Sequence, residues 1–306
     1  MDKHMNPKTK QIVLPLITAL IWGSAFVAQK SGAEVLGAFT FTWTRYLLAA
    51  IALVCFLTIR GKHTGKKPFS ENRPSLLRGG LVMGTLLAVA SNLQQYGVGL
   101  TTAGKAGFIT ALYIVLVPLF GLFLGKRVRA LVWCGVAVAV AGLYLLSFAA
   151  GGEMTFTTGD LCVLLCAIVF TLHILAVDHY TKLADAVELA CLQFAVAVAE
   201  SLLCALVTEG VPVDAIRAAA FPIFYAGVIS GGIAYTLQIV SQKDGDPTVV
   251  SLLLSLEAFF AAVCGAIILH ERLSLREYLG CALMLCAVVL VQLPEKKVQL
   301  PEKKAS

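Results

Sequence analysis

Ionisable and amide side chains occur inside the most apolar stretches of this 306-residue chain, and their spacing is that of helix faces. Glu257 lies near the middle of an apolar run that also holds Ser251 and Ser255. It is the first candidate for a protonatable or cation-contacting group. Arg45, His173 and Glu200 lie in three other runs, where an ionisable group either locks helices together or couples transport to an ion. Asn92 and Gln95 are three residues apart, as are Thr110 and Tyr113, and Tyr235 and Gln238. Residues at that spacing share one side of a helix. Together with Trp22 as a stacking surface, these amides, hydroxyls and one carboxylate can bind a small polar molecule through hydrogen bonds. The competing role for Ser, Asn and Gln at such positions is hydrogen-bonded glue between helices.

Groups suited to enzymatic chemistry are missing. The run Gly99-Leu100-Thr101-Thr102-Ala103-Gly104-Lys105 imitates a phosphate-binding loop, but Ala106 stands where a hydroxyl would hold magnesium. That run also joins two apolar segments instead of a strand and a helix. There is no His-Glu-x-x-His, no cluster of aspartates and no ATPase module. The expectation is therefore no catalytic residues, no metal and no cofactor, with any uphill transport driven by a proton or a counter-substrate.

The elements that carry these residues are set by composition. Hydrophobic residues make up 58% of the chain and charged residues 14%, against about 25% charged in soluble proteins. Apolar runs of roughly 18 to 24 residues recur from end to end, and each is long enough to cross a bilayer core of about 30 Å. They fall at residues 12–29, 36–59, 76–99, 104–124 and 130–148, then 161–179, 187–207, 218–240, 248–269 and 275–293. The predicted fold class is an all-α integral membrane protein with ten transmembrane helices. Nine cysteines fall inside these runs and read as small apolar residues, not as a disulfide framework. The net charge of +6 sits in short links and tails, which argues against a nucleic-acid partner. Most Lys and Arg residues fall on one side if both termini are cytoplasmic, as the positive-inside rule requires.

The chain also repeats. Gly125-Lys126-Arg127-Val128 aligns with His270-Glu271-Arg272-Leu273, and Ala19-Leu20-Ile21-Trp22 with Ala167-Ile168-Val169-Phe170. Five crossings per copy is an odd number, so the second copy enters the membrane from the opposite side. Such inverted repeats place a binding site near the midplane between the halves. The expected organisation is a tail over 1–11, one repeat over 12–148, a linker over 149–160, a second repeat over 161–293 and a tail over 294–306. The expected cavity lies between helices one, three and four of the first half and helices six, eight and nine of the second. Gly80 with Gly84, Gly121 with Gly125, and Gly227 with Gly231 offer small-residue contacts between helices.

Several of these residues also occur as ordered motifs. Trp22-Gly23-Ser24-Ala25-Phe26-Val27, Arg45 in the second run, the stretch Thr101 to Phe108 through Pro118, Ser255-Leu256-Glu257 and Glu271-Arg272-Leu273 resemble the EamA family of the drug/metabolite transporter superfamily. The resemblance covers the chain from about Leu14 to Leu293. Ala258 departs from it where proline is common, and Lys126-Arg127 where glutamate is common. The resemblance implies two inverted five-helix repeats and the transport of metabolites, often outward, amino acids among them. The resulting expectation is a secondary transporter in the cytoplasmic membrane that moves a small polar molecule by alternating access. The alternative is an integral membrane enzyme or structural protein that acts on or with lipids.

Overall fold

The computed structural model describes residues 7–65, 67–101, 103–147, 157–243, 245–268 and 274–293. Most of both tails, the greater part of the linker and the Glu271-Arg272-Leu273 motif lie outside the described residues. Every regular element among those described is helical. The first half comprises α1 (Pro7–Ala33), α2 (Ala38–Thr64), α3 (Arg73–Leu100), α4 (Ala103–Ala111), α5 (Tyr113–Phe123) and α6 (Ala130–Ser147). The second begins with α7 (Thr158–Tyr180), α8 (Ala186–Thr208), α9 (Val213–Ala218) and α10 (Ala220–Phe224). A π-helical segment (Tyr225–Tyr235) leads into α11 (Thr236–Gln242), α12 (Pro247–Leu254), α13 (Glu257–Ile268) and α14 (Leu275–Gln292).

Helix starts follow from local chemistry. The N-terminal turn of a helix exposes N–H groups without partners, and side-chain oxygens fill that need. Thr157 and Asp160 form a reciprocal capping box on α7, and Ser274 and Glu277 do the same on α14. Asp185 and Asp246 cap α8 and α12. The cap of α2 comes from far along the chain. Glu209, at the end of α8, accepts hydrogen bonds from the backbone N–H groups of Phe39 and Thr40 at 3.1 and 2.8 Å. One carboxylate thus satisfies two orphan donors and the positive end of the helix dipole.

Among the described residues, eight stretches are long and apolar enough to cross a membrane: Lys10–Ala33, Ala38–Thr64, Arg73–Leu100, Ala106–Phe123, Thr158–Tyr180, Ala186–Thr208, Ala220–Gln242 and Pro247–Cys264. Ala130–Leu145 is a shorter apolar helix, and α14 packs along α6, which contains it. The outward surface keeps large apolar side chains such as Phe123, Val207 and Phe221 exposed, while Arg45, Gln95, His173 and Glu257 are buried. That is the distribution expected when lipid is the solvent.

Three of the predicted helices are not simple. The fourth run breaks at Leu112 into α4 and α5, and the ninth breaks at Ser255 and Leu256 into α12 and α13. The eighth run contains the π-helical segment, wound with the wider i→i+5 hydrogen bonding. Hydropathy registers only how long a run is, so it does not reveal how the hydrogen bonds inside that run are made.

Two large apolar clusters hold the molecule together, and each mixes the two halves. One joins α2 and α3 to α7 and α8; the other joins α5 and α6 to α12 and α14. Trp22 on α1 packs against both. Gly80 and Gly84 back onto α8, and Gly227 and Gly231 onto α2, so two of the three predicted glycine pairs lie at helix contacts. A Cβ on Gly121 would meet nothing closer than Lys126 at 3.8 Å.

Candidate functional site

The sequence places Trp22, Phe26 and Gln29 on one face of α1, at the i, i+4, i+7 spacing that keeps side chains aligned. On α7 the equivalent face carries Phe170, His173 and Ile174. These two faces help to enclose a cavity with a free volume of about 40 Å³. Arg45 on α2, Gln94 on α3, Thr110 on α4 and Tyr113 on α5 contribute from the first half. Ser230 and Tyr235 of the π-helical segment, Gln238 on α11 and Glu257 on α13 contribute from the second.

The helix breaks bring two of these side chains together. Tyr113 is the first residue of α5 and Glu257 the first of α13, and the Tyr113 hydroxyl donates to Glu257 Oε1 at 3.2 Å. Both are almost completely buried, so this bond ties the two half-helices across the cavity. The backbone of α13 can come so close to α1 because residue 23 is glycine. A Cβ there would lie 2.5 Å from the Glu257 carbonyl oxygen. The same device recurs at Arg45, where a Cβ on Gly227 would lie 2.5 Å from the Arg45 carbonyl oxygen.

The π-helical segment is held by α1. Its wider turns leave carbonyls available to side chains: Thr18 Oγ1 donates to the Ala234 carbonyl at 3.1 Å, and Trp22 Nε1 donates to that of Ser230 at 3.4 Å. Trp22 and Tyr235 then pack with ring centroids 4.7 Å apart and their planes tilted by 55°.

Hydrogen bonding around the cavity is incomplete. Gln94 Nε2 donates to Thr110 Oγ1 at 3.3 Å, and His173 Nε2 bonds Gln193 Oε1 at 2.9 Å. With Nε2 donating to that amide oxygen, His173 Nδ1 remains an acceptor without a partner. Gln29 Oε1, Arg45 Nε and Gln238 Oε1 are also buried without partners. Buried polar groups are normally paired, and a concentration of unpaired ones around one cavity is what a polar ligand or ordered water would satisfy.

Trp22, Thr110, Tyr113, Tyr235, Gln238 and Glu257 all line this cavity, and so do Arg45 and His173. Asn92 and Gln95 do not stay together. Gln95 is buried and donates to the Gln29 backbone carbonyl at 3.0 Å, whereas Asn92 turns to α8 and donates to Ser201 Oγ at 2.8 Å. Glu200 lies with Asn92 beside a separate, mostly apolar crevice between α2, α3 and α8, and accepts from Thr85 Oγ1 at 2.6 Å. Gln94, Gln29, Phe26, Phe170, Ile174 and Ser230 were not among the predicted site residues, yet they line the cavity. For Gln94 the sequence held a signal: Leu87, Ser91, Gln94 and Val98 follow a core-facing period, and all are buried.

Multiple apolar spans around a polar cavity built from both halves define a multi-pass membrane protein with a transporter-like interior. The model of the EamA-like transporter family matches residues 9–148 and again 157–293, and the chain belongs to that family. An uncharacterized transporter of Archaeoglobus fulgidus is 30% identical over 283 residues, covering 90% of this chain and 84% of its own. The uncharacterized inner membrane transporter YedA of Escherichia coli strain K12 is 27% identical, over 94% of this chain and 96% of its own. A probable terminal-alkyne amino-acid exporter of Streptantibioticus cattleyicolor is 27% identical over 60% of each chain. A solved crystal structure shares the fold with a TM-score of 0.77 at 19% identity, covering 93% of this chain and 96% of that one.

Proposed function

We propose that the protein is a secondary transporter of the cytoplasmic membrane that exports a small polar metabolite by alternating access. An amino acid or a related compound is the first candidate cargo. The observation that carries this reading is the cavity itself. It is walled by both family-matched stretches, and Gln29, Arg45, His173 and Gln238 face it with buried polar atoms that have no partner. Its free volume is small, about 40 Å³. The proposal is that the walls part to admit the cargo. The cross-cavity bond between Tyr113 and Glu257 is where parting would be felt first, and Glu257 is the group proposed to exchange a proton or contact a cation during the cycle.

The frame proposed for this movement is ten crossings arranged as two inverted five-helix repeats, over 12–148 and 161–293, with both termini cytoplasmic. Breaks in α4–α5 and α12–α13 support it, because transporter sites are commonly built where helices are interrupted. Family membership and the relatives' names favour transport over the lipid-enzyme or structural alternative.

The test is comparative metabolite profiling. Cells expressing the parent protein or Glu257→Gln at equal membrane levels are followed over time in medium and cytoplasm. A compound that accumulates outside only with the parent supports export and identifies the cargo class. Loss of that flux, or of its pH dependence, in Glu257→Gln supports the role of the carboxyl. Identical profiles with and without the parent protein, in every nutrient condition, would overturn the exporter reading.

A further inference from the structure

Among the described residues, Arg45 is a buried charge without an ionic partner. Its side chain is 4% exposed, at the wall of the central cavity. A guanidinium carries five N–H donors and stays charged under all physiological conditions. Here it makes one hydrogen bond, from Nη2 to the Tyr46 hydroxyl at 3.3 Å, and Nε has no partner. Among the described residues no carboxylate forms an ion pair with it. Its remaining contacts are the faces of two rings, Tyr46 at 4.7 Å and Phe41 at 5.6 Å from the guanidinium carbon. Ring faces attract a cation but do not replace its lost hydration.

The surroundings hold this side chain in place instead of neutralising it. Tyr46 is itself fixed by a 2.5 Å hydrogen bond with Ser91, and its ring packs against Phe194 at 5.1 Å. On the backbone side, Gly227 allows the π-helical segment to abut the Arg45 carbonyl. The result is a planar set of donors, oriented by aromatic packing and presented to a cavity in which Glu257, the one carboxyl among the lining residues, is bonded to Tyr113 and forms no ion pair with Arg45. Carboxylates match that geometry in two-point fashion.

We propose that Arg45 is the cargo anchor for an anionic group, specifically a carboxylate. This rests on the transport reading for the word cargo, but not for the binding itself. Such a ligand would complete the hydrogen bonding of Arg45, while an amine on the same ligand would be available to Glu257 in the same cavity. A neutral amide of identical shape would leave the guanidinium unpaired. Arg45 thereby becomes a specificity-determining residue and not only a lock between helices.

The test uses purified full-length protein in detergent and reads its Tm with a panel of free amino acids. Each acid is set beside its carboxamide, which keeps the amine and the side chain but carries no anion. Chloride and sulfate salts serve as inorganic controls. The expected result is that at least one acid raises the Tm of the parent, that its carboxamide does not, and that Arg45→Gln weakens binding of the acid roughly thirtyfold or more, the scale for removing one partner of a buried charge pair. Arg45→Lys retains part of the shift because it keeps the cation without the planar fork. If Arg45→Gln fails to fold, the acid–carboxamide contrast on the parent and the Arg45→Lys result still decide. Equal stabilisation by acid and carboxamide, an unaltered shift in either variant, a matching shift with chloride, or no shift with any acid would each overturn the proposal. Counterflow in proteoliposomes separates it from the transport reading. Binding without flux would remove the transporter and leave the anchor, whereas flux of carboxamides at the rate of the acids would remove the anchor and leave the transporter.

Discussion

The two family-matched stretches present the same shape to the cavity but opposite chemistry. At a separation of 148 residues, Trp22 corresponds to Phe170 and Phe26 to Ile174, and all four line the cavity. Tyr46 corresponds to Phe194 in the same way, and their rings pack together. The ionisable positions do not repeat. Arg45 on α2 corresponds to Gln193 on α8, and Ala25 on α1 to His173 on α7. The cation therefore belongs to the first half, while the carboxyl of Glu257 and the imidazole belong to the second. The apolar frame is duplicated and its ionisable groups are not. A duplicated frame suits the alternating-access cycle proposed above, and unequal ionisable walls would give the proposed cargo a single preferred orientation.

The likeness between the halves can be broken most severely at its two closest backbone contacts. Gly23→Val and Gly227→Val each place a Cβ within 2.5 Å of a carbonyl oxygen, on Glu257 and on Arg45 respectively. Neither oxygen can move without its helix. Each variant is expected to lose about 3 kcal/mol, the upper part of the usual range for overpacking, and to lose flux completely. Thermal unfolding and membrane yield check this, and a folded, active Gly227→Val would show that the contact is not needed.

The unlike positions give smaller effects. His173→Leu leaves the Gln193 amide buried without its partner, at a cost of about 2 kcal/mol. Gln193→Leu in the same background should recover part of that loss, since both polar groups are then gone. A double-mutant cycle on Tm measures the coupling, and strict additivity would mean that the 2.9 Å bond contributes nothing.

Outside the cavity, Asn92→Ala and Thr85→Val remove hydrogen bonds to Ser201 and Glu200 on α8. Each should cost about 1 kcal/mol of stability while cargo flux per folded molecule stays at the parent level. Reduced flux at unchanged stability would draw the crevice between α2, α3 and α8 into the transport path. The smallest effect is expected from Lys182→Ala. Asp178 pairs with both Lys126 and Lys182, and the Lys182 side chain is 56% exposed. Removing the outer partner should alter stability by less than about 0.5 kcal/mol.

Much of this arrangement was legible in the residues. Long apolar runs gave the helices to within a few positions: α7 spans Thr158–Tyr180 where 161–179 was expected, and α8 spans Ala186–Thr208 where 187–207 was expected. Rare ionisable groups inside those runs led to Arg45, His173 and Glu257, because polar atoms at membrane depth need a reason to be there. Less accessible were the features that depend on hydrogen-bond register. Leu112 carries no mark of a helix break, and neither glycine nor proline occupies Ser255 or Leu256. The π-helical winding of Tyr225–Tyr235 depends on carbonyls held by Thr18 and Trp22, more than 200 residues earlier. On α3 the residues from Ser91 to Gln95 point to different neighbours, so spacing alone did not separate Gln94, at the cavity, from Asn92, which turns to α8.

The glycine contacts have a consequence for how such a protein can change over generations. What fixes the backbones beside the cavity is a hydrogen atom on the Cα of residues 23 and 227, while the groups proposed to meet the cargo are a pair of side chains, Arg45 and Glu257. Architecture and the proposed selectivity are therefore written at different positions. On that reading, new cargo would be accommodated by exchanging the side chains without redrawing the helix crossings, whereas residues 23 and 227, which carry no functional group at all, leave no room for a side chain.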